Sequence, residues 1–302
     1  MPPFQAPAAD PALEVLSGLG VHGGLPCRLE LRLRDRNGTQ GPVFAFPALP
    51  EPLSARDLAG LPRRSLRATV LGEGVPAIAT PEHLLAALLF FPDAHLTVRS
   101  DAAELPGLDG SALPFRDALA RLFPEPARNP AWREYPCDLA WEHAWEGGHI
   151  RIRPAERFSV RYAFDRDGLS QARRLDEPAE AWADILPART FAFHREWREA
   201  VAGGLMAGAG RDSGLLLASS PEEYRAVLAD HPEWRGGPYP LLNQPGWRIP
   251  DEPVRHKILD LLGDLALNGL ALPRAEIDIR NGGHHAHHLL LDRLLDRPAA
   301  LN

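Results

Sequence analysis

Residues 254–264 read VRHKILDLLGD, and within them His256, Asp260 and Asp264 recur at every fourth position. On an α-helix, positions i, i+4 and i+8 share one face. An imidazole and two carboxylates in a row are donors that Zn²⁺ and other divalent ions of intermediate softness accept. The plainer meaning is a solvated stripe of ion pairs, and H-x-x-x-D alone is common enough by chance to be read that way. Two details weigh against it. Ile258, Leu259, Leu262 and Leu265 already supply the apolar stripe, so the polar row faces something else. Two carboxylates one turn apart also repel unless a cation or separate partners divide their roles.

Two further segments carry metal-capable or titratable groups. In Thr80-Pro81-Glu82-His83, an imidazole stands in the first turn of a helix whose next residues, LLAALLFF, are all apolar. His83 is a candidate third ligand. Glu82 would then sit beside the ion without ligating it, the place of a hydrolytic general base; otherwise the pair merely flanks a buried helix. The segment 281–288, NGGHHAHH, packs four histidines into five positions after two glycines. It reads as a surface helix start that tolerates histidine, or as a second metal pair made by His284 and His288 at i and i+4.

These side chains need a scaffold. CRLELRL (27–33) alternates as a half-buried strand does, and VFAFPAL (43–49) and HLTVRS (95–100) are further strand candidates. Thr80 as N-cap, Pro81 at the first helical position and Glu82 in the acid-favouring first turn predict a helix start. A turn at 108–115 leads to a helix over 115–123. The run LFPEPARNPAWREYPC (122–137) holds four prolines and little periodicity, so it is expected to be a linker. It divides the chain into an N-terminal α+β domain, 1–128, and a C-terminal α+β domain, 129–302. In the second, HIRIRP (149–154) and RFSVRYAF (157–164) alternate as the arms of an antiparallel hairpin would. Helices are expected near 194–203, 221–229, 251–268 and 285–296. Gly269 is the stop of the third, and a strand is expected at 275–280.

Composition narrows the function classes. A net charge of −7 and a pI near 5.9 lack the basic footprint of nucleic-acid binding. Two cysteines, Cys27 and Cys137, are too few for a disulfide framework or a thiolate metal site, and fit a reducing compartment. The start, MPPFQAPAADPALEV, shows neither a basic n-region nor an apolar h-region, and the longest apolar run, Leu84 to Phe91, is far short of a membrane span. A cytoplasmic protein is expected, with transient contact to a membrane surface left open.

TPEHLLAAL (80–88), LDGSALPF (108–115), PARTFAF (187–193) and DEPVRHKILDLLGDL (251–265) resemble the motifs of UDP-3-O-acyl-N-acetylglucosamine deacetylase, the zinc enzyme of the committed step of lipid A biosynthesis. SGLGVHGG (17–24) and GGHHAHHLL (282–290) are similar to its N-terminal and C-terminal motifs, and the blocks follow the family's order along nearly the whole chain. The resemblance implies an α+β fold of two similar domains, each a β-sheet layered against helices, with the active site between the helical layers. It implies a monomer acting on UDP-3-O-(3-hydroxyacyl)-N-acetylglucosamine, and Zn²⁺, with Fe²⁺ as a chemically acceptable substitute, held by His83, His256 and Asp260. Glu82 would be the general base and His284 the paired acid, positioned by Asp264. Thr190 would help hold the oxyanion, Phe191 would contact substrate, Lys257 would lie toward the nucleotide phosphates, and 194–218 would line a passage for the acyl chain. The sequence departs from the family pattern at Gly23, where a serine is usual, at Gly282 of the usual Ser-Gly-His, and where histidine-rich sequence replaces a Leu-Asn pair; RYAFDRDGLSQ (161–171) lacks an expected His-Pro pair. His285 competes with His284 for the acid role. The departures leave two alternatives: a divergent homologue hydrolysing another N-acyl amino sugar or a phosphoester, and a non-catalytic nucleotide-sugar-binding homologue.

Overall fold

The computed structural model describes residues 10–35, 41–65, 67–73, 78–234 and 236–296. The first half runs β1 (Leu13–Leu19), β2 (Pro26–Leu33), β3 (Val43–Ala45), β4 (Leu53–Ser54), α1 (Ala55–Ala59), β5 (Arg63–Ser65), β6 (Thr69–Leu71), β7 (Ile78–Ala79), α2 (Glu82–Leu88), β8 (Leu96–Ser100), α3 (Leu113–Leu122) and α4 (Pro124–Arg128). The second half begins with β9 (Arg133–Pro136), β10 (Trp141–Trp145), β11 (Gly148–Pro154), β12 (Ser159–Arg166) and β13 (Leu169–Leu175). It continues through α5 (Pro178–Glu180) and a π-helical turn, β14 (Phe191–Phe193), α6 (His194–Ala202), β15 (Leu215–Leu217), α7 (Pro221–Asp230), α8 (Glu252–Ala266), β16 (Ala271–Arg280) and α9 (His284–Leu295).

The class is α+β, as expected. One sheet has the order β1-β2-β8-β3-β4; the other has β10-β11-β16-β12-β13, with β9 also paired to β16. Between them α2 packs on α8, and α8 also touches α9 and strands β12, β13 and β16. Alternating residues of the strands turn inward: Leu29 and Leu31 from β2, Val98 from β8, Ile277 and Ile279 from β16. They join Leu84, Leu85, Leu259 and Leu262 of the helices in one apolar cluster. Sandwiched on every side, α8 buries all its residues except Lys257. Its polar row therefore lies in the interior, where ionisable groups need partners.

One glycine sets how close the two central helices come. A Cβ at Gly263 would overlap the carbonyl oxygen of Glu82. Without that atom α8 can press against the first turn of α2, bringing Glu82 and His83 up to the row on α8.

Three sequence expectations change here. β11 and β12 do not form a hairpin. β16 lies between them, antiparallel to β11 and parallel to β12. Alternation identifies a half-buried strand but not its neighbour. The true hairpins are β10/β11 around Glu146-Gly147 and β12/β13 around Asp167-Gly168, the latter with both turn residues at positive φ, the signature of a tight two-residue turn. Thr80 is not an N-cap: it sits at φ 57°, and its hydroxyl donates to the carbonyls of Ala79 and Leu105. The helix starts at Glu82 after Pro81. The proline-rich run 122–137 contains α4 and β9, because buried Tyr135 and its neighbours pair with Ala271–Arg274 of β16.

Candidate active site

His83 from α2 and His256 and Asp260 from α8 converge, each offering one donor atom within 4.8 Å of the others. His256 Nε2 is 3.2 Å and His83 Nε2 3.7 Å from Asp260 Oδ1. Two ligands on one tetrahedral zinc, each at ~2.1 Å, sit roughly 3.3 Å apart, so these spacings fit a shared ion. The tautomer of His256 makes the same point. Its Nδ1 lies 2.9 Å from the carbonyl of Ala188, so that nitrogen carries the proton and donates. The other nitrogen, Nε2, is turned toward the Asp260 carboxylate, the place from which both could ligate one shared ion. Burial opposes ionisation of Asp260, but His256, Lys257 and His284 outweigh it and hold the carboxyl well below its usual range.

The PARTF segment anchors this cluster. Arg189 donates through Nε and Nη2 to both oxygens of Glu252 at 2.7 and 3.0 Å, and its backbone N–H donates to the same carboxylate. Both residues are buried. Glu252 opens α8, so the pair fixes the start of that helix against the strand leading to Thr190 and Phe191. Lys257 bonds to Asp260 Oδ2 at 3.0 Å, with its ammonium 5.5 Å from the Phe191 ring centroid.

Glu82 and His284 face each other at 3.7 Å beside these donors. Glu82 is nearly inaccessible, and its Oε2 has no hydrogen-bond partner. Burial pushes its carboxyl up to about 7, against the pull of His284 and His83. Burial alone would lower His284; the Asp264 and Asp260 carboxylates reverse that and raise the imidazole to about 9. His284 Nδ1 donates to Asp264 Oδ2 at 2.8 Å, leaving Nε2 directed at the Glu82 side of the site. His285 is exposed at the cavity lining.

A cavity of about 530 Å³ exposes Glu82, His83, Thr190, Phe191, His256, Lys257, Asp260 and His284 together. A second, of about 250 Å³, shares Val21, His22, Arg67, Thr190 and Phe191 with it and continues past Trp197, Met206, Ala209 and Leu216 to Trp234. Every sequence-predicted site residue except Asp264 therefore lines the larger cavity; Asp264 is fully buried behind His284. The histidine-rich segment is not a surface helix start, since His284, His287 and His288 are buried.

Sequence reasoning missed several residues. His22 lies where the two cavities meet, with Nδ1 buried and unpartnered, while Glu104 accepts from the backbone N–H groups of His22 and Gly23 at 2.7 Å. Its glycine-flanked motif was visible, but no partner was. Thr69 and Tyr162, which reach the histidine cluster from β6 and β12, carry no local signal.

Among the described residues no helix is long and apolar enough to cross a membrane. The family profile described as UDP-3-O-acyl N-acetylglycosamine deacetylase matches residues 13–228 and 236–296. Relatives named UDP-3-O-acyl-N-acetylglucosamine deacetylase are similar over most of both chains. The one from a Synechocystis strain is 31% identical over 93% of this chain and 95% of its own. Those from Anaeromyxobacter dehalogenans and Nitratidesulfovibrio vulgaris are 30% identical over 94% of this chain, covering 85% and 86% of theirs.

Proposed function

Because the chain belongs to the UDP-3-O-acyl N-acetylglycosamine deacetylase family, we propose that it hydrolyses the N-acetyl amide of UDP-3-O-(3-hydroxyacyl)-N-acetylglucosamine, releasing acetate and a free amine in the committed step of lipid A biosynthesis. His83, His256 and Asp260 hold one divalent cation, Zn²⁺ or, with the same donors, Fe²⁺. The observation that carries this reading is the convergence of His83, His256 and Asp260, each with one donor atom within 4.8 Å of the others.

A bound cation of this kind lowers the pKa of water toward ~7 and polarises a carbonyl. The chain's residues do the rest. Glu82 accepts a proton from the attacking water; its buried, unpartnered oxygen keeps that capacity free. Thr190, on the cavity wall, donates toward the oxygen that gains charge, a contribution of about 3 kcal/mol for a well-placed donor. The amine leaves poorly unless protonated. His284, held cationic by Asp264, gives it the proton from Nε2. Asp260 and Asp264 thus serve a cation and an imidazolium, one turn apart. Lys257 and Phe191 flank the sugar nucleotide, and the smaller cavity beyond them accepts the acyl chain. Direct engagement of Asp264 by His284, with His285 exposed, supports His284 as the acid.

Acetate release tests the reading on substrates with and without the 3-O-acyl chain. Turnover of the acylated substrate by the wild type, absent in His83→Ala, is expected. Faster turnover of an N-acetyl sugar lacking the acyl chain would overturn the substrate assignment. Tight binding without release would overturn the enzymatic one.

A further inference from the structure

Behind the acid lies a closed polar network, and we propose that its buried imidazole, His287, is a positioning residue for the Asp264–His284 pair. The inference rests on the reading of His284 given above.

The contacts of the network assign its donors and acceptors; Thr69 Oγ1 also lies 3.2 Å from His284 Nδ1. Asp264 Oδ2 receives His284 Nδ1 and His287 Nδ1, both at 2.8 Å. A carboxylate held well below its usual range brings no proton, so both imidazoles donate. Burial lowers the His287 pKa, and with Nδ1 spent on Asp264 its Nε2 is left to accept. That nitrogen lies 3.2 Å from the Tyr162 hydroxyl, which donates to it; burial keeps the phenol protonated. Thr69 donates its hydroxyl to Asp264 Oδ1. Its oxygen in turn lies 2.8 Å from His288 Nε2, which donates. Asp264 is therefore gripped at both oxygens by three elements, β6, α8's neighbour α9, and, through His287, β12.

The same atoms could be read as a second metal site, since Asp264, His284 and His287 also form a compact donor group. The spacing decides against it. Donors on one tetrahedral zinc stand roughly 3.3 Å apart, whereas both imidazole nitrogens approach Asp264 Oδ2 to 2.8 Å, a charge-assisted hydrogen-bond distance. None of the ring nitrogens or carboxylate oxygens named here is an orphan.

The backbone makes room for this network. A Cβ at Gly282 would stand 3.0 Å from the Tyr162 hydroxyl and 2.6 Å from Ile279 Cγ2. The turn that delivers His284 thus leaves space for the phenol that orients His287. With Oδ2 shared between two imidazoles, the carboxylate cannot rotate, and the His284 ring is kept with Nε2 in the cavity. Groups behind a working side chain commonly change activity 10–100-fold.

The test compares His287→Leu, which has no donor, with His287→Asn, whose amide nitrogen stands near the place of Nδ1. His287→Leu is expected to lower kcat about tenfold or more, with KM within about twofold and one metal ion per chain, and to melt lower than the wild type because the Tyr162 hydroxyl loses its acceptor. His287→Asn should recover most of kcat. Wild-type kcat in the leucine variant, or equal loss in both folded variants, would overturn the proposal, as would two ions per chain. Should the leucine variant fail to fold, Tyr162→Phe supplies the second arm: it should shift the ¹⁵N resonances of His287 and lower kcat modestly. In the wild type, imidazole ¹⁵N spectra should show His287 neutral with its proton on Nδ1. A charged ring or the opposite tautomer would overturn the proposal. That readout needs no turnover, so it separates this inference from a failure of the deacetylase reading itself.

Discussion

Two histidine–aspartate clusters lie one helical turn apart on α8, and they solve opposite problems. Around Asp260, His256 Nε2 faces a carboxylate oxygen at 3.2 Å and a second imidazole stands at 3.7 Å. Around Asp264, two imidazoles donate protons to one oxygen at 2.8 Å. Residue types alone make the two clusters look interchangeable. The difference lies in where the second nitrogen of each ring is engaged. Ala188 takes the His256 Nδ1 proton, which leaves Nε2 for the Asp260 side. Asp264 takes the Nδ1 protons of His284 and His287. One cluster points its ring nitrogens and a carboxylate oxygen at a shared place, and in the other both imidazoles spend their Nδ1 protons on the carboxylate.

The strongest way to break this contrast is to remove a donor from each side. His256→Ala should abolish acetate release and metal binding together. Asp264→Asn should impair activity while keeping the ion, as metal analysis of both variants would reveal. Next in size, His284→Ala should cost roughly 10²–10⁴-fold in kcat with metal content unchanged. In pH profiles, Glu82 works deprotonated, so activity rises as pH climbs through its pKa. Burial sets that near 7, and an adjacent cation draws it lower. His284 works protonated, so activity falls as pH rises through about 9; His284→Ala should erase this basic limb.

Two structural changes sharpen the comparison further. Glu252→Gln removes the partner of buried Arg189 and should cost about 3–5 kcal/mol of stability, read by denaturant unfolding. It should disturb the Asp260 cluster first, since Ala188 and Arg189 adjoin the His256 anchor. Gly263→Ala forces a methyl group against the Glu82 carbonyl. Overpacking of this kind costs roughly 1–3 kcal/mol; the variant should melt lower and lose activity by displacing Glu82.

Much of the site was legible in the sequence because helical periodicity is local. The row His256, Asp260, Asp264 needed only the 3.6-residue repeat, and Glu82-His83 announced a helix start. What connects distant segments was not legible. Nothing near Thr69 or Tyr162 shows that both reach the histidine cluster. The alternation of 149–154 and 157–164 looked like a hairpin because sequence cannot show β16 inserted between them. Thr80 has the composition of a cap, but the β7–α2 junction holds it at positive φ and gives its hydroxyl to two carbonyls. The four histidines at 284–288 invited a surface reading because hydrophilic residues usually face water. Burial of three of them follows from partners supplied by α8, β6 and β12.

Metal stoichiometry of the purified wild-type chain tests the central contrast most directly. One tightly held divalent ion per chain, lost in His256→Ala and kept in His287→Leu, is the predicted result. Two ions, or one ion that survives His256→Ala, would contradict it.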